Sequence, residues 1–184
     1  MRAVVAYESM FGNTRLIAEA VAEGLGGDGV EVLPISGVDP AALEGVDVFV
    51  VGGPTHAHSM TRVSTRRAAA DMAAKPDSGV TLEPSAVGPG VREWFTGLHG
   101  TIPVRAAAFD TRMHGPAVFT GRASRPITRL LRRHGARIVS PPRSFLVGKQ
   151  SRLDPGEQDR AREWGRALRR DVDAAGRSRS TASA

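Results

Sequence analysis

The chain has 184 residues, a formal net charge of +6 and no cysteine. That length fits one domain, and the apolar and charged fractions of 41% and 24% are ordinary for a globular protein. The absence of cysteine excludes disulfides, thiol chemistry and an iron–sulfur cluster held by this chain. No apolar run reaches the length of a membrane span and no signal peptide precedes the first predicted strand, so we expect a cytoplasmic protein.

The positive charge is concentrated in one stretch. Residues 112–152 contain ten Arg or Lys and no Asp or Glu. Such a stretch indicates a surface for nucleic acid or an acidic partner, or else a solvated basic face. No nucleic-acid-binding motif accompanies it, so we favour the solvated face and expect no nucleic-acid partner.

Strands and helices alternate along the sequence. Apolar runs predict strands at 2–7, 30–35, 46–51, 104–109 and 136–140, followed by an extended segment at 144–147. Helical spacing predicts helices at about 13–25, 65–74 and 91–98, one beginning at Ser124, and a last one that opens at Asp154-Pro155. The alternation predicts an α/β domain with a parallel sheet and helices on both faces.

Two segments depart from this alternation. Residues 57–90 are an inserted loop and helix within a domain of residues 1–175, and their second half is rich in Pro and Gly. A loop of this length in a compact domain is typical of a lid, a binding segment or disorder. Residues 176–184 are small and polar, and we expect a disordered tail.

The loop after the first strand is the most specific feature. Ser9, Asn13 and Thr14 supply hydroxyl and amide groups beside Gly12, and Asn13 or Thr14 is positioned to cap the helix that follows. A helix N-terminus favours a phosphate, because it presents free N–H groups and the positive end of the helix dipole. These neutral groups suit a phosphate that stays bound, as in a cofactor such as FMN.

Other phosphate chemistries lack their motifs. Gly24, Gly26 and Gly27 end the first helix instead of following a strand, so we interpret them as turn glycines, not as a dinucleotide fingerprint. No Gly-Lys-Ser or Gly-Lys-Thr occurs, which excludes a P-loop. The paired acids of a phosphoacceptor receiver domain are missing too. His56 and His58 have no neighbouring cysteine or carboxylate, so we predict no metal site.

From residue 2 to about 174 the chain resembles the flavodoxin family. Its Ser9-Met10-Phe11-Gly12-Asn13-Thr14 loop resembles the family's FMN-phosphate loop, and Pro54-Thr55-His56 resembles the loop beside the isoalloxazine ring. Asp110-Thr111-Arg112 occupies the place of the loop on the other side of the ring. The resemblance implies a flavodoxin-like three-layer α/β/α sandwich, a five-stranded parallel sheet of order 2-1-3-4-5, and FMN bound by these twelve residues.

The resemblance implies an electron-transfer protein that works with a redox partner protein. The alternatives are an FMN-dependent NAD(P)H:quinone-type reductase, and an interaction module of the same fold that has lost FMN. We assign no catalytic residue. The chain departs from the family in its basic charge, in Phe11 where a hydroxyl residue is usual, and in lacking the Trp and Tyr that enclose the ring. Candidates to contact the ring instead are His56, His58, Met60, Met113 and His114.

Overall fold

The computed structural model describes residues 1–148 and 151–180. Its strands are β1 (Ala3–Tyr7), β2 (Val30–Pro34), β3 (Val48–His56), β4 (Ser59–Met60), β5 (Arg105–Met113), β6 (Arg137–Ile138) and β7 (Arg143–Val147). The main sheet is parallel, in the order β2-β1-β3-β5-β6, with β7 also paired to β5. The predicted order 2-1-3-4-5 is confirmed, since β5 is the fourth predicted strand and β6 and β7 share the fifth position.

The fifth position is divided because Pro141 and Pro142 interrupt it. Proline has no N–H for a ladder hydrogen bond, and it is found at the ends of strands or at their edges. β6 therefore pairs only with the start of β5, at Arg105 and Ala106, while β7 pairs with residues 109–113. The predicted strand at 136–140 is correspondingly shorter, and the extended segment after it is a true strand.

The helices are α1 (Asn13–Leu25), α2 (Val63–Ala73), α3 (Val91–Gly97), α4 (Ala117–Thr120), α5 (Ser124–Arg133) and α6 (Glu157–Ser180). α1 and α6 cover one face of the sheet, where Ile17, Val21, Trp164 and Leu168 pack in one buried cluster with Val5 and Val50. α3 and α5 cover the other face, where Val91, Phe95, Ile127 and Leu131 pack with Phe49 and Val51. The three-layer α/β/α arrangement is thus confirmed.

Gly24 is a packing glycine, and its interpretation as a turn glycine was wrong. It lies inside α1, where a Cβ atom would come within 2.1 Å of the Arg162 carbonyl oxygen on α6. A Cβ on Gly165 would come within 2.3 Å of the Val21 carbonyl oxygen on α1. The two glycines therefore let the backbones of α1 and α6 approach each other closely.

The last helix differs from its prediction at both ends. It begins at Glu157, so Pro155 is not its first residue. The Glu157 carboxylate joins the helix start to β7, because its Oε2 accepts a hydrogen bond from the Leu146 amide at 3.0 Å, and its Oε1 contacts Arg160. At the other end the helix continues to Ser180, through the first part of the segment that we expected to be a disordered tail. Residues 181–184 of that segment lie outside the described residues.

Candidate functional site

The carboxyl ends of three neighbouring strands meet at one edge of the sheet, where Pro54-Thr55-His56 and Asp110-Thr111-Arg112, which we predicted as loops, are instead the last parts of β3 and β5. Tyr7 of β1 is paired with Gly52 of β3, and Pro54 of β3 is paired with Thr111 of β5, so the carboxyl ends of the three strands lie side by side. They enclose a cleft of about 100 Å³, which is lined by Ser9, Met10, Phe11, Asn13, Thr14, Pro54, Thr55, His56, Thr111, Arg112, Met113, Val147 and Ser151. Of the twelve residues predicted to bind the cofactor, only Gly12 and Asp110 do not line it.

Gly12 is the residue that turns the chain from β1 into α1. Its φ of 88° lies in the left-handed region, which glycine adopts without a steric cost, and its amide donates to the Ser9 hydroxyl at 3.1 Å. The helix begins at Asn13, and no side chain caps it. The prediction that Asn13 or Thr14 caps α1 was therefore wrong. A helix N-terminus without a capping side chain opens into the cleft, and its first amides can serve a ligand.

Asn13 and Thr14 instead join the first loop to other parts of the site. The Asn13 side-chain amide donates to the Ser151 carbonyl oxygen at 2.7 Å. The buried Thr14 hydroxyl lies 2.8 Å from the Thr111 hydroxyl at the end of β5. One of these hydroxyls donates to the other, and the second keeps its proton for another acceptor.

After His56 the chain turns back on the end of β3 in a tight hairpin. β4 runs antiparallel to the end of β3, with Thr55 opposite Met60 and His56 opposite Ser59. The two turn residues, Ala57 and His58, have φ values of 46° and 68°, a conformation that costs energy for residues other than glycine. Such backbone strain is concentrated at functional sites in proteins. The hairpin places His56 in the cleft, where burial lowers the pKa of its imidazole and favours the neutral form.

Near the end of β5, Asp110 and Arg112 have structural partners. Asp110 is wholly buried beneath the cleft, and its carboxylate accepts a hydrogen bond from the Ser124 amide at 2.8 Å, which holds the start of α5. Burial raises the pKa of Asp110. The Arg112 guanidinium lines the cleft and donates to the Gly115 carbonyl oxygen at 2.8 Å and the Thr120 hydroxyl at 2.9 Å. Arg112 thereby holds the loop that carries α4.

Sequence reasoning missed Glu8, the residue that joins the first loop to the inserted segment. Its buried carboxylate accepts hydrogen bonds from the Thr61 hydroxyl and, at 2.8 Å, from the Val91 amide at the start of α3. Arg66 of α2 is equally buried, with its guanidinium 3.8 Å from Glu8 and 3.1 Å from Glu93. We call Glu8, Thr61, Arg66 and Glu93 the buried ionic cluster. A charged residue next to a predicted phosphate loop was the only sequence signal for it.

The inserted segment also packs directly on the first loop. The Glu83 amide donates to the Met10 carbonyl oxygen at 2.8 Å, and the Glu83 carboxylate lies 3.1 Å from the Arg15 guanidinium. Met10 is buried in a small apolar cluster that includes Ala69 of α2 and the half-buried Phe11. Residues 57–90 therefore support the first loop from behind, although none of them lines the cleft.

The candidates for contact with a flavin ring are distributed unevenly. His56 and Met113 line the cleft, whereas His58 and Met60 do not. His114 is 63% exposed and contacts the Asp154 carboxylate. Val118 and Phe119 of α4 are 79% and 72% exposed. Trp94 and Trp164 both pack in the core, and Tyr7 is buried in the core below the first loop.

Residues 1–148 and 151–180 contain neither a cluster of metal-ligating side chains nor a helix suited to a bilayer. No group of three or more His, Asp, Glu or Cys side chains in that part of the chain is placed to hold a metal ion. Among the described helices, none combines the length and the apolar character that crossing a bilayer requires.

Comparison with known proteins relates the chain to others by structure only. No family model matches the sequence, and no curated protein matches it. An archaeal flavodoxin is similar in structure with a TM-score of 0.60 and 20% identity, over 94% of this chain and 99% of that protein. Flavodoxin 1 from Bacillus cereus has a TM-score of 0.60 and 16% identity, over 95% and 98% of the two chains.

A flavodoxin, WrbA-like protein from Agrobacterium tumefaciens is also similar. It has a TM-score of 0.58 and 19% identity, over 94% of this chain and 98% of that protein. The similarity to all three covers nearly the whole length of each chain. Together with the strand order and the two helical layers, it shows that this chain has the flavodoxin-like fold.

Proposed function

We propose that this protein binds FMN in the cleft and transfers electrons between a redox partner and an acceptor. The observation that carries the proposal is the N-terminus of α1, which no side chain caps and which opens into a cleft lined by hydroxyl groups. Bound FMN would supply the one-electron and two-electron redox chemistry, and the residues of this chain would bind and orient it. We expect the protein to do this in the cytoplasm.

The phosphate end of the cofactor is supported by the first loop. The amides at the start of α1 and the hydroxyls of Ser9 and Thr14 are neutral donors, which suit a phosphate that is retained. Gly12 supplies the left-handed turn that brings these groups together. Thr111 supports the same assignment, because its hydroxyl shares a hydrogen bond with Thr14 and fixes which way that side chain points.

The flavin ring would contact other residues than the Trp and Tyr that enclose it in flavodoxins. A cavity of about 100 Å³ is smaller than the roughly 300 Å³ of a pocket that encloses a small-molecule ligand. The cleft therefore suits the phosphate and the adjoining chain, with the ring extending to the rim near His56 and Met113. An exposed ring edge suits a carrier, because electrons must pass to another protein.

The test is the visible absorption of the purified protein, followed by titration of FMN into it. We expect a yellow protein, or quenching of FMN fluorescence on addition of the protein. A colourless protein that leaves FMN fluorescence unchanged would overturn the proposal and would favour the interaction module without FMN.

A second measurement separates a carrier from a reductase. The protein with FMN bound is mixed with NADPH and a quinone, with no reductase added. A carrier stays oxidised until a reductase is supplied, whereas sustained oxidation of NADPH in the two-component mixture would identify an FMN-dependent reductase.

A further inference from the structure

A second cavity lies between α3 and α5, outside the cleft. It has a volume of about 270 Å³ and is lined by Met60, Arg92, Thr96, Pro126, Arg129, Leu130 and Arg133. We call it the arginine pocket. Three of its lining residues are arginines, and no aspartate or glutamate lines it.

The arginines of this pocket have no counterion within the described residues. No ion pair there involves Arg92, Arg129 or Arg133. Arg129 and Arg133 are one helical turn apart on α5, and like charges at that spacing repel each other. An anion bound between them would remove the repulsion.

The third arginine is held in place by the hairpin beside the cleft. Arg92 Nε donates to the Thr61 carbonyl oxygen at 3.2 Å, and Arg92 Nη2 lies 3.4 Å from the Met60 carbonyl oxygen. Its position is therefore set before any ligand arrives, which lowers the entropic cost of binding. Met60, Pro126 and Leu130 add an apolar wall to the same cavity.

The geometry points to the arginine pocket as a binding site for a phosphate group, separate from the cleft. Arg129 and Arg133 can each offer paired N–H donors to the oxygens of phosphate, whereas the Nε and Nη2 groups of Arg92 are bonded to the hairpin and its Nη1 group remains for the ligand. Three positive charges around one cavity suit a dianion better than a single carboxylate. The apolar wall can contact the rest of a molecule to which the phosphate is attached, such as a nucleoside. This site does not depend on FMN binding in the cleft.

The source of the phosphate is either a nucleotide or free phosphate, and the test separates the two. Inorganic phosphate, adenosine 2′-monophosphate and adenosine are titrated calorimetrically into the protein saturated with FMN, or into the protein as purified if it does not bind FMN. Tighter binding of the nucleotide than of phosphate identifies a nucleotide site, and equal binding identifies a site for free phosphate. Adenosine binding as tightly as its phosphate would overturn the proposal.

Variants of α5 locate the binding. Arg129→Gln and Arg133→Gln should each weaken phosphate binding about tenfold, the loss of one charge-assisted contact. Arg132→Gln is the matched control, because it removes the same charge from the same last turn of α5 but from outside the pocket. No binding by the wild-type protein, or an equal loss in all three variants, would overturn the proposal.

Discussion

The Thr14 hydroxyl of α1 lies 2.8 Å from the Thr111 hydroxyl of β5, and both side chains are buried. The contact joins residues that are 97 positions apart, one in the first turn of α1 and one near the end of β5. It connects the proposed phosphate site to β5 on the other side of the cleft. Because a hydroxyl has a single proton, one member of the pair is free to donate to a ligand.

The first prediction concerns this pair. Thr14→Val keeps the shape of the side chain but removes the hydroxyl, and we expect it to weaken FMN binding by about 1.5 kcal/mol, or roughly tenfold, as for a lost hydrogen bond to a charged group. Thr111→Val should weaken it less, because Thr111 acts through Thr14. The dissociation constants are measured by fluorescence quenching, together with those of the double variant. The double variant should lose less binding free energy than the sum of the losses of the two single variants.

Thr128→Val provides the control for that prediction. Thr128 is also a buried threonine with a bonded hydroxyl, but its hydroxyl donates to the Ser124 carbonyl oxygen within α5. We expect its FMN affinity to equal that of the wild type. If Thr14→Val also binds FMN like the wild type, the phosphate is not held by this loop as proposed.

The second prediction concerns the buried ionic cluster. Arg66→Met leaves the buried Glu8 carboxylate without its cation, and breaking a buried ion pair from one side costs about 3 kcal/mol of unfolding free energy or more. Arg67→Met is the control, because Arg67 is the next residue of α2 and is exposed. Both are measured by urea unfolding. An equal, small effect of the two substitutions would mean that the cluster does not stabilise the fold.

The buried ionic cluster also shifts the pKa of Glu93, which can be measured. Partial burial by itself would raise the pKa of Glu93, but hydrogen bonds from Arg66 and from the Gly90 amide outweigh it and lower that pKa. Arg66→Met should therefore move the Glu93 pKa upward. This shift is measurable by NMR titration of the side-chain carboxyl carbon, and it separates loss of the ionic cluster from a general loss of packing.

The sheet and the cleft could be predicted from the sequence because their signals are local. Apolar runs mark the strands, and the residues at the carboxyl ends of β1, β3 and β5 are brought together by strand order alone. Glu8 could not be assigned in this way, since its partners Thr61 and Val91 are 53 and 83 positions away. Asp110 illustrates the same limit, because a carboxylate at a strand end can face a ligand or hold a neighbouring helix, and only packing decides.

Helix caps were the least predictable feature, although α1 and α3 begin at the predicted residues. Asn13 and Thr14 are good capping residues, yet both lie inside α1, and their side chains bond to Ser151 and Thr111 instead. Capping preference is a local energy of about 1 kcal/mol, and contacts with distant residues can exceed it. The uncapped start is also the feature on which the proposed FMN site rests.

The third prediction concerns the contact between α1 and α6. Glycine inside a helix is usually unfavourable, and replacing it with alanine stabilises by about 1 kcal/mol. Gly165→Ala should do the opposite, because its Cβ would lie 2.3 Å from the Val21 carbonyl oxygen, and overpacking of this kind costs roughly 1–3 kcal/mol. Gly97→Ala at the end of α3 is the control, since no atom lies within 4 Å of its added Cβ. Thermal unfolding of both variants checks the sign.

The fourth prediction is a pH dependence that originates at His56. Burial lowers the pKa of this imidazole in the folded protein, so the folded state resists the proton that the unfolded chain accepts near the ordinary value of 6.5. The unfolded state then binds more protons, and the free energy of unfolding falls as the pH decreases below that value. Well above pH 6.5 His56 is neutral in both states, and it causes no loss of stability there.

The variant His56→Asn should reduce this loss of stability. Urea unfolding at pH 7.5 and at pH 5.5 gives the change for each protein, and we expect a smaller decrease for His56→Asn than for the wild type. His99→Asn is the control, because His99 is exposed and its variant should follow the wild-type profile. Equal decreases in all three proteins would show that His56 is protonated as easily in the folded cleft as in the unfolded chain.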